Sequence, residues 1–303
     1  MHSADEFDAY AGLVEAGEET RWAFGTGFDD PLAGVDVSVP PGVDGPALAA
    51  YCLMLGDDAL ILSQRLAQWC TRAPELEEEV ALANIGLDLV GQTRLLYARA
   101  AAADPTVVPS LPNGSPVPAE DRLAFFRGVE EHRCVWLVEQ PNGDFAATVV
   151  RLAVFAAWRL ALLDELQGSR DPVLAAVAQK GVKELRYHRD YAARWLLTLA
   201  GGTQESRART EAGLGAVWPY VDELGRPDDV TARLAADGVA ADPPSVWAAT
   251  EEFLHRLLDE ARLDAPASPV ASGGGRRGVH SPELAPLVEE LQGLARAHPM
   301  GRW

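Results

Sequence analysis

Glu184–Leu–Arg–Tyr187–His188 lies midway along a helix-forming run from Pro172 to Leu199, and its reading decides the fold. Glu184 and His188 stand four residues apart and share one helix face. Tyr187, Tyr191 and Trp195 continue that side at steps of three or four. A metal-carrying four-helix bundle sends a Glu and a His three apart inward from each of two helices, with a further Glu from each of the others. Here the spacing is four, and the long helices offer a single such pair. The stretch reads as part of a di-iron bundle scaffold that does not assemble the metal set.

Three further long helices are legible around it. In Pro46–Cys70, Leu48, Tyr51, Leu55, Leu62, Leu66 and Trp69 recur mostly at helical spacing. Pro74 suits a first helical position, and Glu75, Glu77 and Glu78 favour the positive end of a helix running to about Ala102. The turn between these two helices is short, so they pack antiparallel. Asp144 caps Phe145–Gln167, and Asp171–Pro172 opens the helix that carries Glu184. The expected core is therefore 46–72, 74–102, 144–167 and 172–200.

Peripheral helices are expected over Pro118–Glu139, from Thr203 to near Glu223, within Gly225–Pro244, over Trp247–Leu263 with Ser245 as cap, and from Ser281–Pro282 to Ala297. Ala265–Gly278 reads as a flexible Pro/Gly/Ala linker. No strand-like alternation of useful length occurs. The fold class is all-α, a four-helix bundle with additional peripheral helices. Residues 1–45 form an acidic, turn-rich arm in which Phe7, Tyr10, Leu13 and Trp22 could cover a groove, and residues 46–303 form the helical domain.

Composition narrows the function. At 48% hydrophobic, the 303 residues suffice for a large core, and a net charge of −19 gives no attraction to phosphate, which argues against nucleic acid. Cys52, Cys70 and Cys134 form no close pair, so neither a zinc knuckle nor a disulfide framework is indicated. No basic leader precedes an apolar run, and the longest apolar stretch, Val149–Leu166, contains Arg and Asp, so no membrane span is expected. A cytoplasmic protein follows.

Polar residues interrupt the apolar rows at mid-helix: Asp58 and Arg65 on the first helix, Asn84 and Asp88 on the second, Arg151 on the third, Lys180, Glu184 and His188 on the fourth. As metal ligands they fall short. The second helix has no histidine, the third has no carboxylate between Asp144 and Asp164, and His188 is the sole imidazole of the four. The favoured reading is a buried polar network of Asp58, Arg65, Asn84, Asp88, Arg151, Glu184 and His188. Its acids are neutralised by Arg65, Arg151, Lys180 or His188, since a buried charge needs a partner. No residue is assigned to catalysis, cofactor binding or metal. Glu252 and His255 form a lone Glu-x-x-His outside the core and read as a surface pair; no phosphate loop, zinc-protease helix or nucleophile elbow occurs.

Longer runs carry a resemblance. Tyr51–Cys–Leu–Met–Leu–Gly–Asp–Asp58–Ala–Leu–Ile–Leu–Ser–Gln–Arg65 and Leu82–Ala–Asn84–Ile–Gly–Leu–Asp88–Leu–Val–Gly–Gln92 resemble the structural C subunits of the multicomponent ring-1,2-phenylacetyl-CoA epoxidase. So do Val138–Glu–Gln–Pro–Asn–Gly–Asp144–Phe145, Lys183–Glu184–Leu–Arg–Tyr187–His188 and Gly278–Val–His280–Ser–Pro282, and the likeness covers roughly 46–303. The resemblance implies a ferritin-like bundle without activity of its own. It implies a homologous di-iron subunit as partner, which epoxidises phenylacetyl-CoA with dioxygen, beside the other subunits of the complex. It places flavin and an iron–sulfur cluster in a separate reductase and no cofactor in this chain. Self-association is a further expectation. The alternatives are a di-iron oxygenase active by itself and a ferritin-like metal-binding protein.

Overall fold

The computed structural model describes residues 34–267, 269–271 and 273–301. Phe7, Tyr10, Leu13 and Trp22 of the expected arm lie outside the described residues. In chain order the helices are α1 (Gly45–Ala67), α2 (Leu76–Ala103), α3 (Ala119–Phe125), α4 (Trp136–Glu139), α5 (Phe145–Leu166), α6 (Pro172–Gly201), α7 (Gln204–Val217), α8 (Asp229–Ala236), α9 (Pro243–Ala261) and α10 (Leu284–Ala297). Short 3-10 turns join several of them, and no strand occurs among the described residues.

The four long helices pack as two pairs, α1 on α2 and α5 on α6, with α2 also meeting α6. The α1–α2 approach is close because Gly56 stands where a Cβ would lie 2.5 Å from the Tyr97 ring. In the tight connection, Thr71 adopts a left-handed φ of 67°, and its N–H donates to Glu79 Oε2 at 2.9 Å. The helices α7 and α9 cover α5 and α6, α8 packs on α1, and α3 lies on α2 with α10 against it. Helices α1 and α5 are long and apolar enough to cross a membrane, but 83% and 89% of their most apolar windows are buried inside the molecule. They are core helices, which explains why their sequences are apolar nearly all round.

Capping follows local chemistry. Asp144 accepts from Ala147 N, Asp171 from Leu174 N, and Thr203 Oγ1 from Ser206 N. Helix α9 starts earlier than expected: Asp242 is its cap, Pro243 takes the first turn, and Ser245 is the residue whose N–H is capped. Ser281 does not cap α10, which begins at Leu284; its N–H goes to Glu139 Oε2 at 2.7 Å.

Two further expectations need correction. The helix expected over Pro118–Glu139 is broken into α3, a 3-10 turn at Val129–Glu131, and α4. The backbone leaves helix because its donors are needed elsewhere: Arg133 N donates to Asp57 Oδ2 at 2.6 Å and Val135 N to Asp58 Oδ1 at 2.9 Å. The second concerns 265–278, expected as a flexible linker. Its later half is anchored, with Gly274 N and Gly275 N donating to Glu223 Oε1 at 3.0 and 3.3 Å. Gly275 presses against Cys134 O so closely that a Cβ there would lie 1.8 Å from it.

Candidate functional site

The polar residues of the core fall into distinct groups. At the middle of the long helices a relay crosses all four. Arg159 of α5, fully buried, donates from Nη1 to Leu55 O of α1 at 2.8 Å, and from Nε and Nη2 to Gln92 Oε1 of α2 at 3.3 and 3.2 Å. Gln92 Nε2 then donates to Glu184 Oε2 of α6 at 2.9 Å. Burial pulls the Arg159 guanidinium down to about 10, against the attraction of Asp58. Burial raises the Glu184 carboxyl, while the Gln92 bond and Lys180, 3.8 Å away, work in the other direction. One turn further along, His188 Nε2 meets Asp88 Oδ2 at 2.9 Å; the imidazole is buried and the carboxylate is 38% exposed.

Asp58, expected to be neutralised by Arg65, Arg151, Lys180 or His188, is instead held by Arg276, whose Nη1 and Nη2 reach Oδ1 and Oδ2 at 3.0 and 2.8 Å. Burial raises the Asp58 carboxyl and Arg276 opposes the rise; with both oxygens committed to donors, the pair is ionised. Arg65 spends its guanidinium on the carbonyls of Glu139 and Glu283. Arg151 grips the 140–142 turn through Gln140 O and Asn142 Oδ1. Among the described residues no carboxylate pairs with Arg151, and burial, with the charge of Arg65 adding, draws it down to about 9. Asn84 is exposed and takes no part: one turn before Asp88, it lies on the edge of α2 that opens to solvent. Glu252 and His255 are exposed on α9, with Glu252 3.5 Å from Arg256.

Two buried ion pairs and a buried His–Glu contact were not read from the sequence. Asp57 is fully buried against Arg127 and accepts from Tyr97 OH. Burial opposes ionisation of Asp57, but Arg127 and His132 together hold its carboxyl below the ordinary value. Arg99 pairs with Asp171, the cap of α6. His280 Nδ1 meets Glu139 Oε1 at 2.7 Å, with Nε2 3.0 Å from His132 O. Only the adjacency of two aspartates in a buried helix could have signalled the first.

Among the described residues, Cys134, Glu139 and His280 form the group whose donor atoms lie close enough to share a metal ion. They do not fit a di-iron centre. One carboxylate cannot bridge and terminate two irons, and Glu139 is already bound to His280 Nδ1 and Ser281 N. Burial, reinforced by Glu139, pushes the Cys134 thiol well above its ordinary value and keeps it protonated. The mid-bundle relay fits no better, since a guanidinium occupies it and the oxygens facing it are taken.

Comparison with known proteins gives two results. The model of a family described as phenylacetic acid catabolic protein matches residues 37–303. The chain is also 41% identical over 258 residues to the C subunit of the 1,2-phenylacetyl-CoA epoxidase of Escherichia coli (strain K12), an alignment covering 84% of this chain and 99% of that protein.

Proposed function

From the premise that the chain belongs to the phenylacetic acid catabolic protein family, we propose that it is the non-catalytic structural subunit of a 1,2-phenylacetyl-CoA epoxidase in aerobic phenylacetate degradation. The carrying observation is the 41% identity to the C subunit of such an epoxidase over nearly that protein's whole length. The interior supports it from another direction. Arg159, Gln92 and Glu184 fill the middle of the long helices with a closed hydrogen-bond relay where such bundles otherwise place ligands.

In this reading the four long helices form a ferritin-like bundle. The chain stabilises a homologous di-iron subunit, which binds the thioester because the ring must reach its irons. Electrons arrive from a reductase with flavin and an iron–sulfur cluster, and the assembly works in the cytoplasm. The buried polar groups serve the shape of the scaffold and not chemistry.

The test is an epoxidation assay of each subunit alone and of all their mixtures, beside size-exclusion chromatography with light scattering. This chain alone converts no phenylacetyl-CoA, with or without reductant, and mixed with the catalytic subunit it forms a stable heteromer that protects that subunit from aggregation. A catalytic subunit that folds and turns over at full rate without this chain would overturn the reading.

A further inference from the structure

We propose that the outward face of α2 is the seat of a partner subunit, and that the partner presents there a helix with an apolar ridge flanked by lysine or arginine. The inference rests on the structural-subunit reading and adds to it the surface and the chemistry of what binds.

Ten large apolar side chains stand exposed among the described residues, and four of them, Leu76 (70% exposed), Val80 (52%), Leu87 (66%) and Val90 (45%), lie on α2. Their steps of four, seven and three, with half-buried Ala83 between Val80 and Leu87, put them in one row along the helix. The row extends for about 21 Å. The opposite side of α2 carries Leu82, Ile85, Leu89 and Leu96, all buried. A helix apolar on two opposite faces is built to be covered on both. No charged residue interrupts the row until Arg94, which is 3.6 Å from Glu120.

Four such side chains expose a few hundred Å2, roughly half of the ~800 Å2 per partner that a specific interface takes. Contact has to extend past the row, and beside its first half the surface continues into a hollow of about 470 Å3 between α2 and α6. Tyr187 and Trp195 wall the hollow, Glu77 and Glu78 rim it, and Arg194 also lines it while donating from Nε to Asp190 O. Aromatic walls under a carboxylate rim accept a basic side chain through both cation–π attraction and charge.

The charge pattern chooses the occupant. The row begins among Glu75, Glu77, Glu78 and Glu79. A second copy of this chain carries a net charge of −19 and the same four glutamates. The cation its α2 row would bring, Arg94, is already shared with Glu120. A partner helix with basic flanks meets the row without that repulsion.

The experiment uses the full chain with its native catalytic subunit. Val80→Glu combined with Leu87→Glu, both at exposed positions, leaves the melting temperature unchanged and weakens heteromer formation at least a hundredfold. Leu294→Glu, at another exposed leucine, leaves binding unchanged. Glu75→Lys with Glu77→Lys slows association about tenfold at low salt. Wild type and the double glutamate variant binding equally well would overturn the surface while leaving the structural-subunit reading intact. Faster association of the lysine variant would overturn the basic flank. A wild-type chain that is dimeric alone and becomes monomeric on Val80→Glu/Leu87→Glu would make the occupant a second copy, against the proposal. A wild-type chain with no affinity for the catalytic subunit would overturn the functional reading and this partner together.

Discussion

Asp57 and Asp58 are adjacent and both fully buried, yet they serve different partners: Asp57 takes Arg127 and Asp58 takes Arg276. Replacing Asp58 by Ala strands the Arg276 guanidinium, whose side chain is 17% exposed, and lowers stability by about 3 kcal/mol, read as a drop in urea midpoint. Glu184→Ala is milder, roughly 1 kcal/mol, because Lys180 is 44% exposed and Gln92 stays anchored by Arg159. His132 supplies a pH dependence. Burial first, then the Arg127 charge, lower its pKa to about 4. Unfolded chains take up the proton near 6.5, so stability falls as pH drops from about 6.5 to about 4 and levels below, a loss of roughly 3 kcal/mol. Urea titrations of His132→Leu across that window show the total loss reduced by that amount. His188 with Asp88 and Lys180 with Glu184 were among the expected partners, one helix or one turn away; the partner of Asp58 was not legible. Asp58 and Arg276 lie 218 residues apart, and no periodicity joins them.

At the scale of elements, the caps were legible because they are local: an Asp or Thr before a helical run satisfies N–H groups two or three residues away. Asp144, Asp171 and Thr203 act so. The 118–139 break was not, because what bends that backbone is the demand of Asp57 and Asp58 for its donors. The order of the 273–278 turn was hidden for a similar reason, since its glycines permit close approach to Cys134 O and Glu130 O as readily as they permit flexibility. Gly275→Ala therefore lifts the turn and with it Arg276. The expected cost is about 1–3 kcal/mol, together with faster hydrogen exchange at Gly274 and Val135, measured by mass spectrometry.

At the scale of the molecule, two helix pairs and their covering helices put the long apolar runs of the described residues inside, except the outer row of α2. The four long helices and the pairing of the first two across their short turn were legible because hydrophobic period and capping both speak to them. The interior chemistry was legible as a shortfall of ligands and not as the relay that fills the space. After anaerobic iron loading and desalting, the isolated chain is expected to retain far less than one iron per molecule by elemental analysis. Two tightly held irons, lost on Glu184→Ala, would contradict the scaffold reading.

The Arg159 relay has a consequence for how an oxygenase is matured. On the structural-subunit reading, iron has to enter the partner's bundle and stay out of this one. A buried guanidinium in mid-bundle repels a second cation, and the oxygens it engages, Leu55 O and Gln92 Oε1, are no longer free to coordinate. Misloading is thus blocked by charge as well as by missing ligands. Reopening the site would require coordinated changes on α2, α5 and α6, so on that reading no single substitution turns the scaffold into a competitor for metal.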